Sequence, residues 1–288
     1  MKINNLTVIV FSYNEENRIE RVLKNFKNHC ELLVIDNFST DRTLSIIENA
    51  SIRVVQKSNK GHLDRELIKD IIDLVNTDWL FFIQCSEVVP NSLFPIINKL
   101  INLENYRVIM LNRISYTGGV LTHNQSKNYK KIESNIVYTR LFNKNYLNIE
   151  LSKIHQEFPI EIQNISDVAI LNSDKFNSLI HLRDVDVEIG ENKHMKYSKF
   201  DAEQMYQSGK RGSYFRVIFR PFKSILYFLS VQNLFKFNYY NFLTIIQHFQ
   251  YIMLVEMRLL EKTKKITIDD CVNKNNLIAK SRIQNFNN

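Results

Sequence analysis

The chain has 288 residues, 44% hydrophobic and 24% charged, with only 6 Gly and 4 Pro. This composition speaks against a disordered or low-complexity protein and allows one large α/β domain, or a domain of about 200 residues with a helical appendage. The net charge of +8 is spread along the chain without a basic reading motif, so nucleic acid is not an expected partner.

Leu6 to Phe11 is a short β-branched apolar run, and apolar residues then recur at helical spacing at Ile19, Val22, Leu23 and Phe26. The pattern predicts strand, loop, helix. A second buried strand, Glu31 to Asp36, feeds a helix over Thr43 to Asn49, with Ser39 or Asp41 as N-cap. The unit repeats: strand Ile52 to Gln56, helix Leu63 to Asn76, strand Trp79 to Ile83. Alternation of this length implies a mostly parallel, doubly wound sheet. Such sheets take ligands at the carboxyl ends of their strands, so the loops opening at Ser12, Asp36 and Gln84 are expected to share one site.

After Pro90 a helix runs to about Leu103, followed by a strand over Arg107 to Arg113 and a Thr117-Gly118-Gly119 turn. Gly118 to Arg183 reads as mixed strand and loop, with Val137 to Phe142 the clearest strand. From Asn192 the period is helical: a polar helix to Ser208, a Gly-Lys-Arg-Gly break, then two long aromatic-rich helices to about Lys265. The Asn-rich stretch from Ile266 reads as a peripheral, frayed tail. The expected division is 1–190 for the α/β domain, 191–265 for the helical extension and 266–288 for the tail.

Cys30, Cys85 and Cys271 show neither CxxC nor metal-ligand spacing and are expected to be reduced. There is no signal-peptide core at the N-terminus and no run of about 18 apolar residues. The expected location is the cytoplasm, at most on the inner face of the membrane.

Several motifs together carry a resemblance. Phe11-Ser-Tyr-Asn-Glu-Glu16 ends the first strand, and Val34-Ile-Asp-Asn-Phe-Ser-Thr-Asp-Arg-Thr43 places Asp36, Ser39, Asp41 and Thr43 in a Val-Asp-x-x-Ser-x-Asp-x-Thr signature. The chain resembles family 2 glycosyltransferases of the GT-A (Rossmann-like) fold, especially the branch that builds lipopolysaccharide cores and other bacterial surface glycans. The resemblance implies a mostly parallel central sheet flanked by helices, and inverting transfer of a hexose from a nucleotide-diphosphate sugar, expected to be UDP-linked, to a glycan or lipid-linked acceptor. Phe11, Ser12, Tyr13, Asn14, Glu15, Asp36 and Ser39 would hold base and ribose, an acceptor-only carboxylate at a strand end suiting a uracil N–H or ribose hydroxyl. The plainer alternative is that Asp36 only begins a turn. Arg65, Gln84, Ser86 and Arg140 complete the expected donor-binding set.

In the third loop the chain departs from the family pattern. Relatives carry Leu-Asp-Ala-Asp-Glu there, whose Asp pair holds a divalent metal, Mn²⁺ or Mg²⁺; here Ile83-Gln-Cys-Ser-Glu87 stands instead. Neutral Gln84 and Ser86 are poor ligands for hard cations. Three readings stay open. Glu87 holds a metal with the diphosphate and a later His, or Arg and Lys replace the metal, or the chain is an inactive binder that partners an active transferase.

Downstream, Arg113 to Gly118 and Thr139-Arg-Leu-Phe142 match further family segments. Lys153-Ile-His-Gln-Glu157 stands where relatives read Val-His-Glu, making His155 and Glu157 the implied catalytic residues, with Glu157 as general base. His181 resembles a later family His. No GxGxxG follows the first strand, which disfavours a dinucleotide enzyme. Phe215 to Leu229 sets basic residues 216, 220 and 223 among aromatics, suiting either a membrane surface or packing on the core or in a homodimer.

Overall fold

The computed structural model describes residues 2–58, 65–125, 136–151, 158–171, 178–183, 187–231 and 238–284. The chain forms two compact units, Met1–Arg183 and Asp184–Asn288.

The first unit opens with the alternating strands and helices that periodicity predicts: β1 Ile3–Ser12, α1 Ile19–Phe26, β2 Cys30–Asp36, α2 Thr43–Asn49, β3 Arg53–Gln56, α3 Arg65–Asp73 and β4 Trp79–Gln84. It continues with β5 Glu87–Val88, α4 Leu93–Asn102, β6 Val108–Met110, β7 Arg113–Thr117, β8 Val120–Gln125, β9 Ile136–Thr139, β10 Leu141–Asn143, β11 Phe158–Glu161, β12 Val168–Ile170 and β13 Leu179–Arg183. The main sheet has the order β12-β6-β10-β4-β1-β2-β3. β1 pairs in parallel with both β2 and β4, and β3 extends the parallel set from β2. β10 runs antiparallel between β4 and β6.

Along β1, Val8 and Val10 face one core cluster with α1 and α4, while Ile9 faces another with α3, Phe82 and Phe158. This period-two alternation buries both faces of the sheet. Because β2 and β4 flank β1 on opposite sides, the chain leaves β1 and β4 in opposite directions, and a crevice opens at their carboxyl ends.

Two predicted strands are each divided. Arg107 to Arg113 reads as one strand, but β6 joins the main sheet and β7 joins a second sheet of order β5-β13-β7-β8. Asn112 marks the break, its side-chain amide donating to the Leu171 carbonyl at 2.8 Å. Val137 to Phe142 likewise divides at Arg140 into β9, which pairs with β11, and β10. The β7–β8 turn uses Gly118 (φ 55°) and Gly119 (φ 78°), the two consecutive positive φ values of a type I′ hairpin.

The second unit contains α5 Val187–Gln207, α6 Tyr214–Val231, α7 Tyr239–Lys264 and α8 Ile268–Gln284. Helix α7 packs against both α5 and α6. The stretch read as a frayed tail forms α8, whose described side chains are exposed. Buried Glu256 of α7 receives Arg216 Nε at 2.8 Å and Nη2 at 3.1 Å, and also pairs with Arg220. Arg216 and Arg220, grouped in the sequence with a membrane-facing helix, are therefore committed to a buried carboxylate. The exposed stripe of α6 is aromatic and aliphatic: Tyr214, Phe215, Ile218, Phe219, Phe222 and Leu226.

Candidate functional site

The site is built on strand register. Ser12 and Asp36 are direct partners across β1 and β2, so both loops begin at the same level. Asp36 is fully buried. Its carboxylate accepts hydrogen bonds from the Ser12 hydroxyl at 2.8 Å, the Ser39 N–H at 2.8 Å and the Ser39 hydroxyl at 2.6 Å.

The loops are then laced together. Asn14 N–H donates to Ser39 Oγ at 2.9 Å, Thr40 N–H to Asn14 Oδ1 at 2.8 Å, and Glu15 N–H to Thr43 Oγ1 at 2.7 Å. Asp41 receives the Glu16 N–H at 3.1 Å and, at the first residue of α2, the Thr43 N–H at 2.9 Å. Burial would raise the Asp41 pKa, but these bonds and the Thr43 hydroxyl outweigh it and hold the carboxyl below its ordinary value. Glu15 pairs with Arg18 at 2.6 Å. Asn14 and Phe38 have φ values of 53° and 57°. Asn tolerates that region, whereas for Phe38 it costs about 1 kcal/mol. The Tyr13 and Phe38 rings stand at the rim of this frame, 57% and 54% exposed.

The third loop lies beside the first. Phe11 and Gln84 are register partners, and the Cys85 thiol donates to the Phe11 carbonyl at 3.3 Å. Burial raises the Cys85 pKa, keeping the thiol neutral. Gln84 is exposed and Ser86 half-buried. Glu87 is fully buried. It accepts the Gln84 N–H at 2.9 Å and Arg140 Nη1 at 2.8 and 2.9 Å, with Arg113 Nη1 at 3.6 Å. His181 is paired with Glu87 across β13 and β5, and its Nδ1 lies 3.4 Å from Ser115 Oγ.

Of the residues expected from sequence, Phe11 to Glu15 share one laced frame with Asp36 and Ser39, while Gln84, Ser86, Glu87 and Arg140 gather at the adjoining strand end. Arg65 does something different: its guanidinium bonds Glu150 Oε2 at 2.8 Å and the Glu150 carbonyl. His155 and Glu157 lie outside the described residues. Sequence reading missed the grip of Arg113 on Glu87 and the latch made by Asp41. The Arg before the Gly-Gly turn was visible, but its partner was not.

Among the described residues, the donor set around Glu87 does not fit a resident divalent ion. Its carboxylate already holds two guanidiniums, its neighbours Gln84 and Ser86 are neutral, and among the described residues no three His, Cys, Asp or Glu side chains form a metal-binding group.

A mostly parallel sheet thus carries two laced loops around a buried Asp at its strand ends, beside a basic cluster, the place where open α/β sheets take ligands. Residues 7–160 match the model for glycosyl transferase family 2, and the chain belongs to that family. It is thus a glycosyltransferase by class, and the mostly parallel sheet flanked by helices is the architecture the resemblance implied, with the C-terminal helices that the helical period predicted. An uncharacterised glycosyltransferase of Rickettsia typhi is 25% identical over 74% of this chain and 72% of its own length. The lipopolysaccharide core biosynthesis glycosyltransferase LpsC of Rhizobium meliloti is 20% identical over 75% and 77%. Among solved structures, S. aureus TarS 1-349 in complex with UDP-GlcNAc is 16% identical, covers 70% of this chain and 66% of that one, and has a TM-score of 0.48.

Proposed function

We propose that this enzyme transfers a hexose, with inversion, from a UDP-linked sugar to a hydroxyl of a bacterial surface glycan such as a lipopolysaccharide core. The carrying observation is the laced pair of loops around Asp36 opening beside the Arg113–Glu87–Arg140 cluster. The loops offer a preorganised polar frame with two exposed aromatic rings for a nucleoside, and the cluster offers positive charge for a diphosphate. Similarity to LpsC supports the acceptor class. His155 and Glu157 remain the proposed catalytic pair, with Glu157 taking the acceptor proton.

The test is UDP release from a panel of UDP-hexoses, with and without core oligosaccharide or lipid-linked acceptor. Release that rises with acceptor is expected. UDP-sugar binding without release for any donor and acceptor would instead support an inactive partner protein, the alternative that neutral Gln84 and Ser86 raise.

The α6 stripe supports a second proposal, docking at the inner membrane surface. No helix among the described residues is long and apolar enough to cross a membrane, so such a contact would lie in the interface. With Arg216 and Arg220 committed to Glu256, the binding should be chiefly apolar and only weakly salt-dependent. Co-sedimentation with phosphatidylglycerol vesicles is expected to persist at raised salt and to fall in a Phe215→Ser/Phe219→Ser variant. Absent sedimentation together with a concentration-dependent dimer would assign the stripe to a second copy.

A further inference from the structure

We propose that Arg113 and Arg140, held by buried Glu87, replace the family's divalent metal: their guanidiniums bind the donor's diphosphate and stabilise it as it leaves, so the reaction needs no metal ion. This rests on the donor reading above. Four observations carry it.

The first is charge. Two Asp carboxylates and one divalent cation sum to zero, so losing all three leaves the local balance unchanged. Losing the Asp pair while keeping the ion would add two positive charges beside two guanidiniums, a like-charge repulsion that the single carboxylate of Glu87 does not cancel. Gln84 and Ser86 are neutral, and the cluster of Arg113, Arg140 and Glu87 is already net positive.

The second is occupancy of Glu87. A carboxylate offers about four acceptor sites; Glu87 uses three on the Gln84 N–H and Arg140, and Arg113 lies 3.6 Å away. A metal binding there would have to displace an arginine from a fully buried carboxylate, and breaking such a pair is strongly unfavourable.

The third is access. The Arg140 and Arg113 side chains are 24% and 28% exposed, so part of each reaches solvent, whereas the Glu87 side chain is fully buried. Guanidinium is always charged and suited in shape to phosphate oxygens.

The fourth is position. Arg140 follows β9 directly, and its carbonyl accepts the Phe82 N–H at 3.0 Å. That fixes its backbone beside the last residues of β4, next to the loop where relatives carry their metal ligands.

In the transfer, the bond from the acceptor oxygen to the anomeric carbon forms as the bond from that carbon to the β-phosphate oxygen breaks. The electron pair of the breaking bond goes to the departing UDP, where the two guanidiniums meet the new charge. The acceptor proton goes to the general base.

Calorimetric titration of the full chain with UDP and with uridine, in EDTA and in Mn²⁺, tests the proposal. UDP affinity is expected to agree within about twofold in the two conditions. Arg113→Gln and Arg140→Gln should each weaken UDP by about tenfold to a hundredfold, as expected for losing charge-assisted bonds, while uridine affinity stays constant. A merely structural role would move both ligands together. The double variant Gln84→Asp/Ser86→Asp should convert UDP binding to Mn²⁺ dependence. Should either arginine variant fail to fold, the wild-type comparison still decides. Wild-type UDP binding that vanishes in EDTA and returns with Mn²⁺ overturns this inference and leaves the donor reading standing. Failure to bind UDP in either condition overturns both.

Discussion

Replacing Asp36 with Ala is expected to abolish UDP binding and to destabilise the first unit by about 4 kcal/mol, read by urea unfolding. Three donors converge on this fully buried carboxylate. Hydrogen bonds to a charged acceptor contribute about 1.5–3 kcal/mol each and do not add fully, because water can enter part of the space left. The loss spreads beyond the bonds themselves. Ser39 and Thr40 are the residues through which the second loop holds Asn14, so freeing Ser39 removes one of those two ties and loosens the first loop as well. Asp36→Asn keeps shape and one acceptor oxygen, and the Ser hydroxyls can rotate to accept from its amide, so it should cost less in stability while still weakening the nucleotide. An Asp36→Ala protein with an unchanged urea midpoint and unchanged UDP affinity would remove Asp36 from the centre of the site.

Glu256→Ala should cost about 3 kcal/mol in the second unit, because it leaves Arg216 and Arg220 facing each other without their shared counter-ion. Burial pushes the Glu256 pKa up, but hydrogen bonds from Arg216 and Arg220 and their charges outweigh it and hold the carboxyl below its ordinary value. The folded-state pKa therefore lies under the unfolded one, near 4.3. The stabilisation is fully present above that unfolded value and is lost as pH falls through the folded one. Wild-type unfolding free energy should decline on acidification below about pH 4.3. A Glu256→Gln variant should start lower and show a shallower decline there; parallel acid limbs would show that Glu256 does not titrate between the two states.

The first four strands and their helices were legible because each is a long stretch of one period, buried on both faces or along one stripe. The laced loops proposed to hold the nucleotide were legible for the same reason, since Ser12 and Asp36 stand at the ends of those strands. What stayed hidden were interruptions. Arg113 and Arg140 each lie within or at the end of an apolar run that reads as one strand, yet the chain changes sheet at both. Long-range pairing makes those breaks, Asn112 reaching Leu171 and β9 reaching β11, and local pattern does not encode it. The residues that grip Glu87 were in view as letters but not as neighbours. Arg216 and Arg220 misled in a similar way: a helical pattern of basic and aromatic residues does not say which of them faces a carboxylate one helix away.

The lacing of the two loops also bears on how this enzyme could change its substrate. The frame is made by Ser12, Asn14, Asp36, Ser39, Asp41 and Thr43 with backbone N–H groups, while the Tyr13 and Phe38 rings project from its rim. On the proposed nucleotide reading, foldability and selectivity are written in different letters of the same short segments. Exchanges at 13 and 38 are then expected to re-tune which base is accepted without loosening the frame, whereas the frame residues have little freedom to vary. Lineages or laboratory libraries diverging in nucleotide preference should accumulate their differences at those two ring positions first.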